Sequence, residues 1–421
     1  GDIQIVGIGA YTTNDTGIDL RGSVTSTAGA ISIVGTTYSN NYGATNIWNG
    51  PIKAAGNLAI TGNAYSTSLY PIYIGGVAAS ANAIQGASVR LTANEYSASA
   101  NTAGYGAIYS ATAQPIIATN GDIVLTTNVA NTANAGINFT GAIAQNTSGG
   151  NITFISNSSI NQTGAITLVA NTSGTASTVL YDTRTGNKLS TISTGTVTIT
   201  AGSTKAINYS ILAAGAALTT SAVSVNGTIT IDNTYGCASA PCTAVTAVDN
   251  YITTANFSTL ATTATGINVT GALVGGTGVY LDGITYSGNH GVYSIVAITA
   301  TTGNVNILGI TNTGSGIWFS GAAATMTASI GNIILNGYQL AGNAAVNLNG
   351  VLTATSGSVT ITGSNTTGNY AFWDNSLITA ATGISITGTS APGNGNATIS
   401  MSGAMTVTGV GAPITLSATN T

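Results

Sequence analysis

A glycine followed by alternating apolar and polar residues recurs along this chain, and no other feature limits its fold as much. The run reads Gly1-Asp-Ile-Gln-Ile5, Gly29-Ala-Ile-Ser-Ile33, Gly56-Asn-Leu-Ala-Ile60 and Gly121-Asp-Ile-Val-Leu125. It returns as Gly150-Asn-Ile-Thr-Phe154, Gly164-Ala-Ile-Thr-Leu168, Gly195-Thr-Val-Thr-Ile199 and Gly227-Thr-Ile-Thr-Ile231. The later copies are Gly303-Asn-Val-Asn-Ile307, Gly331-Asn-Ile-Ile-Leu335, Gly357-Ser-Val-Thr-Ile361 and a shortened Gly383-Ile-Ser-Ile386. Period-two alternation over so short a run is a half-buried strand. Ile and Leu point inward and Thr, Ser and Asn outward. The leading glycine marks a corner, where the chain bends tightly or takes positive φ.

A second glycine-bounded motif lies about midway between these strands. It reads Gly17-Ile-Asp-Leu-Arg-Gly22, Gly136-Ile-Asn-Phe-Thr-Gly141, Gly278-Val-Tyr-Leu-Asp-Gly283 and Gly316-Ile-Trp-Phe-Ser-Gly321, with Ala345-Val-Asn-Leu-Asn-Gly350 as a variant. A third, looser stretch such as Val351-Leu-Thr-Ala-Thr precedes the next repeat. First motifs recur mostly every 26 to 32 residues, a length typical of one supersecondary unit. One such unit cannot bury its inner face alone, so units stack and each strand pairs with its equivalents above and below. The expectation is an all-β parallel β-helix of about fourteen coils, continuous over residues 1–421, with loop insertions near 227–302. The short interval between Gly150 and Gly164 breaks the phase, as if a strand were missing.

Composition supports this. The chain has 421 residues, of which 4% are charged, with 56 Gly and 6 Pro; an ordinary soluble protein carries about 25% charged residues. β-Branched residues favour pleated surfaces, and the long helix formers are scarce. Gly, Ser, Thr or Asn interrupts every apolar run before it reaches the roughly 18 residues a spanning helix needs. The basic residues, Arg21, Lys53, Arg90, Arg184, Lys188 and Lys205, are scattered. That excludes a nucleic-acid surface, which needs clustered cations to replace counterions.

Catalytic chemistry finds little support. The acids are Asp2, Asp15, Asp19, Glu95, Asp122, Asp182, Asp232, Asp249, Asp282 and Asp374, spread along the chain. Asp15, Asp19 and Arg21 form the one close trio and read as a surface ion pair. His290 lies in a Gly-rich turn without a Ser–Asp partner nearby. Asp2 and Asp122 stand after a corner glycine where other repeats carry Asn, which suits turns better than a calcium site. The expectation is a non-enzyme with no cofactor and no metal site.

Other candidates concern contact and processing. Tyr73, Tyr280, Trp318 and, by register, Phe372 are read as outward aromatics, able to stack on sugars or another rod but more often packed locally. Cys237 and Cys242 enclose a proline and form a disulfide candidate suited to an extracellular setting. Asn-x-Ser/Thr sequons at Asn151, Asn157, Asn208, Asn256 and Asn268 are candidate glycan acceptors, although a chain this rich in Asn, Ser and Thr generates them by chance. Thr-x-Thr strands at 196–200, 228–230 and 360–362 suggest an ice-binding face, but Ser32, Ala59 and Ile334 break the ladder.

Repeats such as Gly150-Asn-Ile-Thr-Phe-Ile-Ser-Asn and Gly164-Ala-Ile-Thr-Leu-Val-Ala-Asn-Thr-Ser-Gly resemble the shaft of filamentous-haemagglutinin-like exoproteins of the two-partner secretion and autotransporter type. The resemblance is one of repeat style over nearly the whole chain. It implies a right-handed helix, export from a Gram-negative bacterium to the cell surface, and work as an adhesive or filament-forming rod. The secretion-domain signature Asn-Pro-Asn-Gly is absent from this sequence. The partners it implies are further copies end to end, or further coils of a longer chain, and a glycan or other surface receptor. A carbohydrate-binding or carbohydrate-cleaving β-helix is the alternative, and an ice-binding or surface-layer protein a further one.

Overall fold

The structure is a computed structural model. It describes residues 1–10, 15–39, 43–48, 50–66, 70–75, 83–97, 106–111, 114–130, 135–145, 150–156, 160–162, 166–170, 176–182, 189–190, 197–201, 207–212, 218–220, 223–225, 228–233, 265–285, 289–366, 369–391 and 397–420. The chain divides into two compact units. One holds Gly1–Arg184 and Lys188–Ile207, the other Thr185–Asn187 and Asn208–Thr421. Each is a β-solenoid of parallel strands on three faces, visited in turn by every coil.

In the first unit the long first face stacks Ile3–Ile8, Ile31–Thr37, Leu58–Ala64, Val89–Glu95, Ile123–Val129, Ile152–Ser156 and Ala176–Asp182. In the second unit it stacks Thr228–Asn233, Gly278–Thr285, Val305–Thr311, Ile333–Gln339, Ser358–Asn365, Gly383–Ser390 and Ile414–Asn420. The second and third faces use shorter strands, such as Ile72–Ile74 and Ile84–Gly86. Registers are strict: Ile31 pairs with Leu58, Leu58 with Val89 and Val89 with Ile123. Inward columns of Ile, Leu and Val are closed to solvent, and Phe139, Phe154, Phe319 and Phe372 are the largest side chains among them. Each fully buried Ile or Leu contributes roughly 1.5–3 kcal/mol, so a thin core repeated coil by coil suffices.

Register also resolves the phase break. The Gly164 and Gly195 copies are not first-face strands. Ile166–Ala170 pairs with Ile143–Gln145 and Val197–Ala201 on the third face. The coil in question is complete, running through Ile152–Ser156, Ile160–Gln162 and Ile166–Ala170 before Ala176–Asp182. Conversely, Gly278-Val-Tyr-Leu, expected on the second face, lies on the first, between Thr228–Asn233 and Val305–Thr311. The described residues of 266–302 are therefore ordinary coil, with strands Ile267–Val269, Leu273–Gly275, Gly278–Thr285, His290–Ser294 and Ile298–Ala300, and not an insertion. The faces share one Gly-x-apolar-x-apolar grammar, so sequence alternation alone does not tell them apart. Extra length in this region falls on residues 234–264, outside the described residues.

The corner glycines answer to close approach. A Cβ on Gly150, Gly331 or Gly357 would lie 2.3, 2.1 and 2.1 Å from a carbonyl oxygen of the preceding coil. A further glycine column, unnoticed in the motif, runs down the middle of the first face: Gly7, Gly35 and Gly62 in one unit, Gly283, Gly309, Gly337, Gly363 and Gly388 in the other. A Cβ on Gly309, Gly337 or Gly363 would meet a second-face backbone carbonyl at 2.0–2.3 Å. Here the two faces touch backbone to backbone, and the inner space closes. Beyond it the inward positions turn polar, as at Gln339 and Asn365, where Asn365 Nδ2 donates to Gln339 Oε1 at 2.7 Å.

Candidate functional site: outward ladders of aromatic and amide side chains

Parallel in-register stacking places equivalent residues one above another, so outward side chains form ladders. On the first face of the first unit, Asn128 Nδ2 donates to Asn94 Oδ1 at 2.8 Å and Asn94 Nδ2 to Asn63 Oδ1 at 2.9 Å. Asn63 Nδ2 reaches Thr36 Oγ1 at 3.5 Å. Two residues further along the same coils stands a tyrosine ladder. Tyr38 and Tyr65 stack at 5.0 Å and 18°, Tyr65 and Tyr96 at 4.5 Å and 13°. Backbone bonds carry the register past the strand ends: Tyr65 N–H donates to Thr37 O, Tyr96 N–H to Ala64 O and Ala130 N–H to Glu95 O. Ala130 is thus the rung after Tyr96. Tyr65 and Tyr96 are 47% and 52% exposed.

The four expected outward aromatics do not share one face. Tyr73 stands on the outward column of the second face, paired with Tyr109, but is only 9% exposed. Tyr70 at 4.7 Å and Trp48 at 4.7 Å enclose it, and its ring lies over Gly75, where a Cβ would meet it at 2.3 Å. Tyr280 sits on the first face of the second unit, half-buried, aligned with Thr230 and Asn306. Trp318 is on the second face of that unit, tilted against Tyr293 at 5.2 Å and edge-on to His290 at 4.5 Å. Phe372 is a correction: it points into the core, fully buried. Register aligns it with Val346 and Ile399, and Trp373 takes the outward place beside Asn347. A one-residue slip in a period-two strand exchanges the faces.

Two titratable groups are displaced from their usual ranges. Burial lowers His290 from 6.5 to about 4. Its Nδ1 accepts the Ser315 N–H at 3.2 Å, so that nitrogen carries no proton. Burial raises Asp374, an inward residue whose Oδ1 accepts from Ser376 N–H and Oγ while Oδ2 has no hydrogen-bond partner. The trio near residue 20 contains an Asp19–Arg21 ion pair at 2.9 Å. Asp2 and Asp122 use a carboxylate oxygen to accept a backbone N–H from the next coil, at Ala30 and Asn151. Asn304 and Asn332 do the same toward Asn332 and Ser358. Asp and Asn therefore share one coil-linking task in which only the side-chain carbonyl oxygen is needed. Among the described residues, no group of three or more His, Cys, Asp or Glu is gathered for a metal ion, and no helix is long and apolar enough to cross a membrane.

Of the candidate glycan acceptors, Asn151 sits half-buried at a corner and Asn268 in the middle of the strand Ile267–Val269. Asn208 lies in the strand Ile207–Leu212. Asn157 and Asn256 fall outside the described residues, as do Cys237 and Cys242. The Thr-x-Thr strands are divided: Val197–Ala201 is a third-face strand of the first unit, and the other two are first-face strands of the second. The tyrosine ladder went unread because its residues follow the strand rather than belong to it. The signal was a constant offset of nine residues, from Gly29 to Tyr38, Gly56 to Tyr65 and Ala87 to Tyr96. No protein-family profile matches the chain, and neither a curated protein nor a solved structure matches it.

Proposed function

We propose that this chain is a structural, adhesive segment of an extracellular surface fibre, of the filamentous-haemagglutinin-like kind. The observation that carries the reading is the construction itself. Coil after coil adds the same three strands in register, tied by inward apolar columns and outward amide ladders, which builds length and outer surface. Scarcity of charge and the repeat style support a secreted bacterial shaft. The reading is non-enzymatic. It includes continuation of the coils past the strands Ile3–Ile8 and Ile414–Asn420, in the same polypeptide or in a further copy.

Labelling of intact producing cells with a membrane-impermeant amine reagent, followed by electron microscopy of the shed material, tests it. The expected result is labelled protein on unbroken cells and in filaments. Labelling only after lysis, or dispersed particles alone, overturns the reading.

A further inference from the structure

We propose that the end of the tyrosine ladder at Tyr96 is a binding subsite for one ring of a neutral saccharide. The ladder advances by 4.5–5.0 Å per rung through Tyr38, Tyr65 and Tyr96 and then meets Ala130 in place of a fourth ring. One face of Tyr96 is covered by Tyr65. By register the other faces the rung of Ala130, which carries a methyl and no ring, and both residues are exposed. A flat ring seated there continues the stack at a spacing within the range that aromatic faces prefer.

The surroundings select the chemistry. Asn94 and Asn128 stand two residues before Tyr96 and Ala130 on the same outward row, so amide groups flank the open rung. Asn128 Nδ2 is committed to Asn94, while its Oδ1 accepts from no described residue. Glu95, between Asn94 and Tyr96, points inward and is 5% exposed. The outward rows beside the rung therefore present a ring, a methyl and amides. A pyranose fits these groups: its C–H face lies on the phenol and its hydroxyl rim meets the amides. A charged ligand would find no counter-charge among them, and a purely aromatic one would leave the amides unused. The site stands whether or not the chain belongs to a fibre.

The test is saturation-transfer NMR on the whole chain with three neutral probes: the β-linked hexaoses of glucose, N-acetylglucosamine and xylose. At least one should receive saturation from the tyrosine ring protons. Tyr96→Ala should weaken that binding ten-fold or more, and Asn128→Ala several-fold. Ala130→Leu, whose branched side chain fills the rung without offering a further ring face, should weaken it as strongly as Tyr96→Ala while the protein stays folded. No transfer to any of the three hexaoses overturns the proposal. So does undiminished binding by a folded Ala130→Leu or Tyr96→Ala protein.

Discussion

Single residues in this protein are constrained chiefly by what stacks above and below them. Gly337 shows this at the seam between two faces. A methyl group there would approach the Ala345 carbonyl oxygen to 2.3 Å, with Val346 equally close. Gly337→Ala should destabilise the second unit by about 1–3 kcal/mol through overpacking, measured by urea unfolding. Ala345→Gly in the same background is not expected to rescue it, because the obstacle is backbone. The displaced titrations give opposite pH responses. His290 binds its proton less readily folded than unfolded, so its contribution is present above pH 6.5 and is lost as pH falls toward about 4. His290→Gln should remove a loss of roughly 1–2 kcal/mol over that window, a size already discounted for partial exposure. Asp374 is the reverse case. Its raised value favours the folded state in acid, and that advantage is lost as pH rises from the ordinary carboxylate range. Asp374→Asn keeps the acceptor for Ser376 and should raise the Tm at neutral pH while changing little below pH 4.

The unit of construction is the strand with its register, and here the limits of sequence reading are plain. Alternation at Ile31–Thr37 or Ser358–Asn365 is enough to place inner and outer residues, because burial there follows period two without exception. It does not say which face a strand belongs to. Ile166–Ala170 and Gly278–Thr285 were each assigned to the wrong face, since both carry Gly-x-apolar-x-apolar and differ only in the strands they pair with. Phe372 and Trp373 are adjacent aromatics, and only the alignment with Val346 and Asn347 tells which one is inside. The Asn-bearing corners were legible as polar positions, but the motif stops short of the outward Asn63, Asn94 and Asn128. Their mutual hydrogen bonds were not legible, because these join residues 31 and 34 apart. Breaking that ladder in the middle should be felt on both sides. Asn94→Leu removes one donor and one acceptor and should cost about 1–2 kcal/mol, with hydrogen exchange rising in Leu58–Ala64 and Ile123–Val129 alike.

At the scale of the molecule, coils stack parallel and in register, each adding one rung of about 4.8 Å. Surface role, ladder chemistry and the saccharide subsite all presuppose that stacking. A spin-label distance within the second unit measures it most directly. Asn306, Ile334, Thr360, Ser385 and Thr415 occupy one outward column, so Asn306 and Thr415 are four rungs apart. Labels at Asn306→Cys and Thr415→Cys, in a chain with Cys237→Ser and Cys242→Ser, should give a narrow pulsed-EPR distribution centred near 20 Å, four rungs of about 4.8 Å each. A broad distribution, or one centred beyond about 35 Å, which no four-rung stack reaches, would contradict the solenoid and everything built on it.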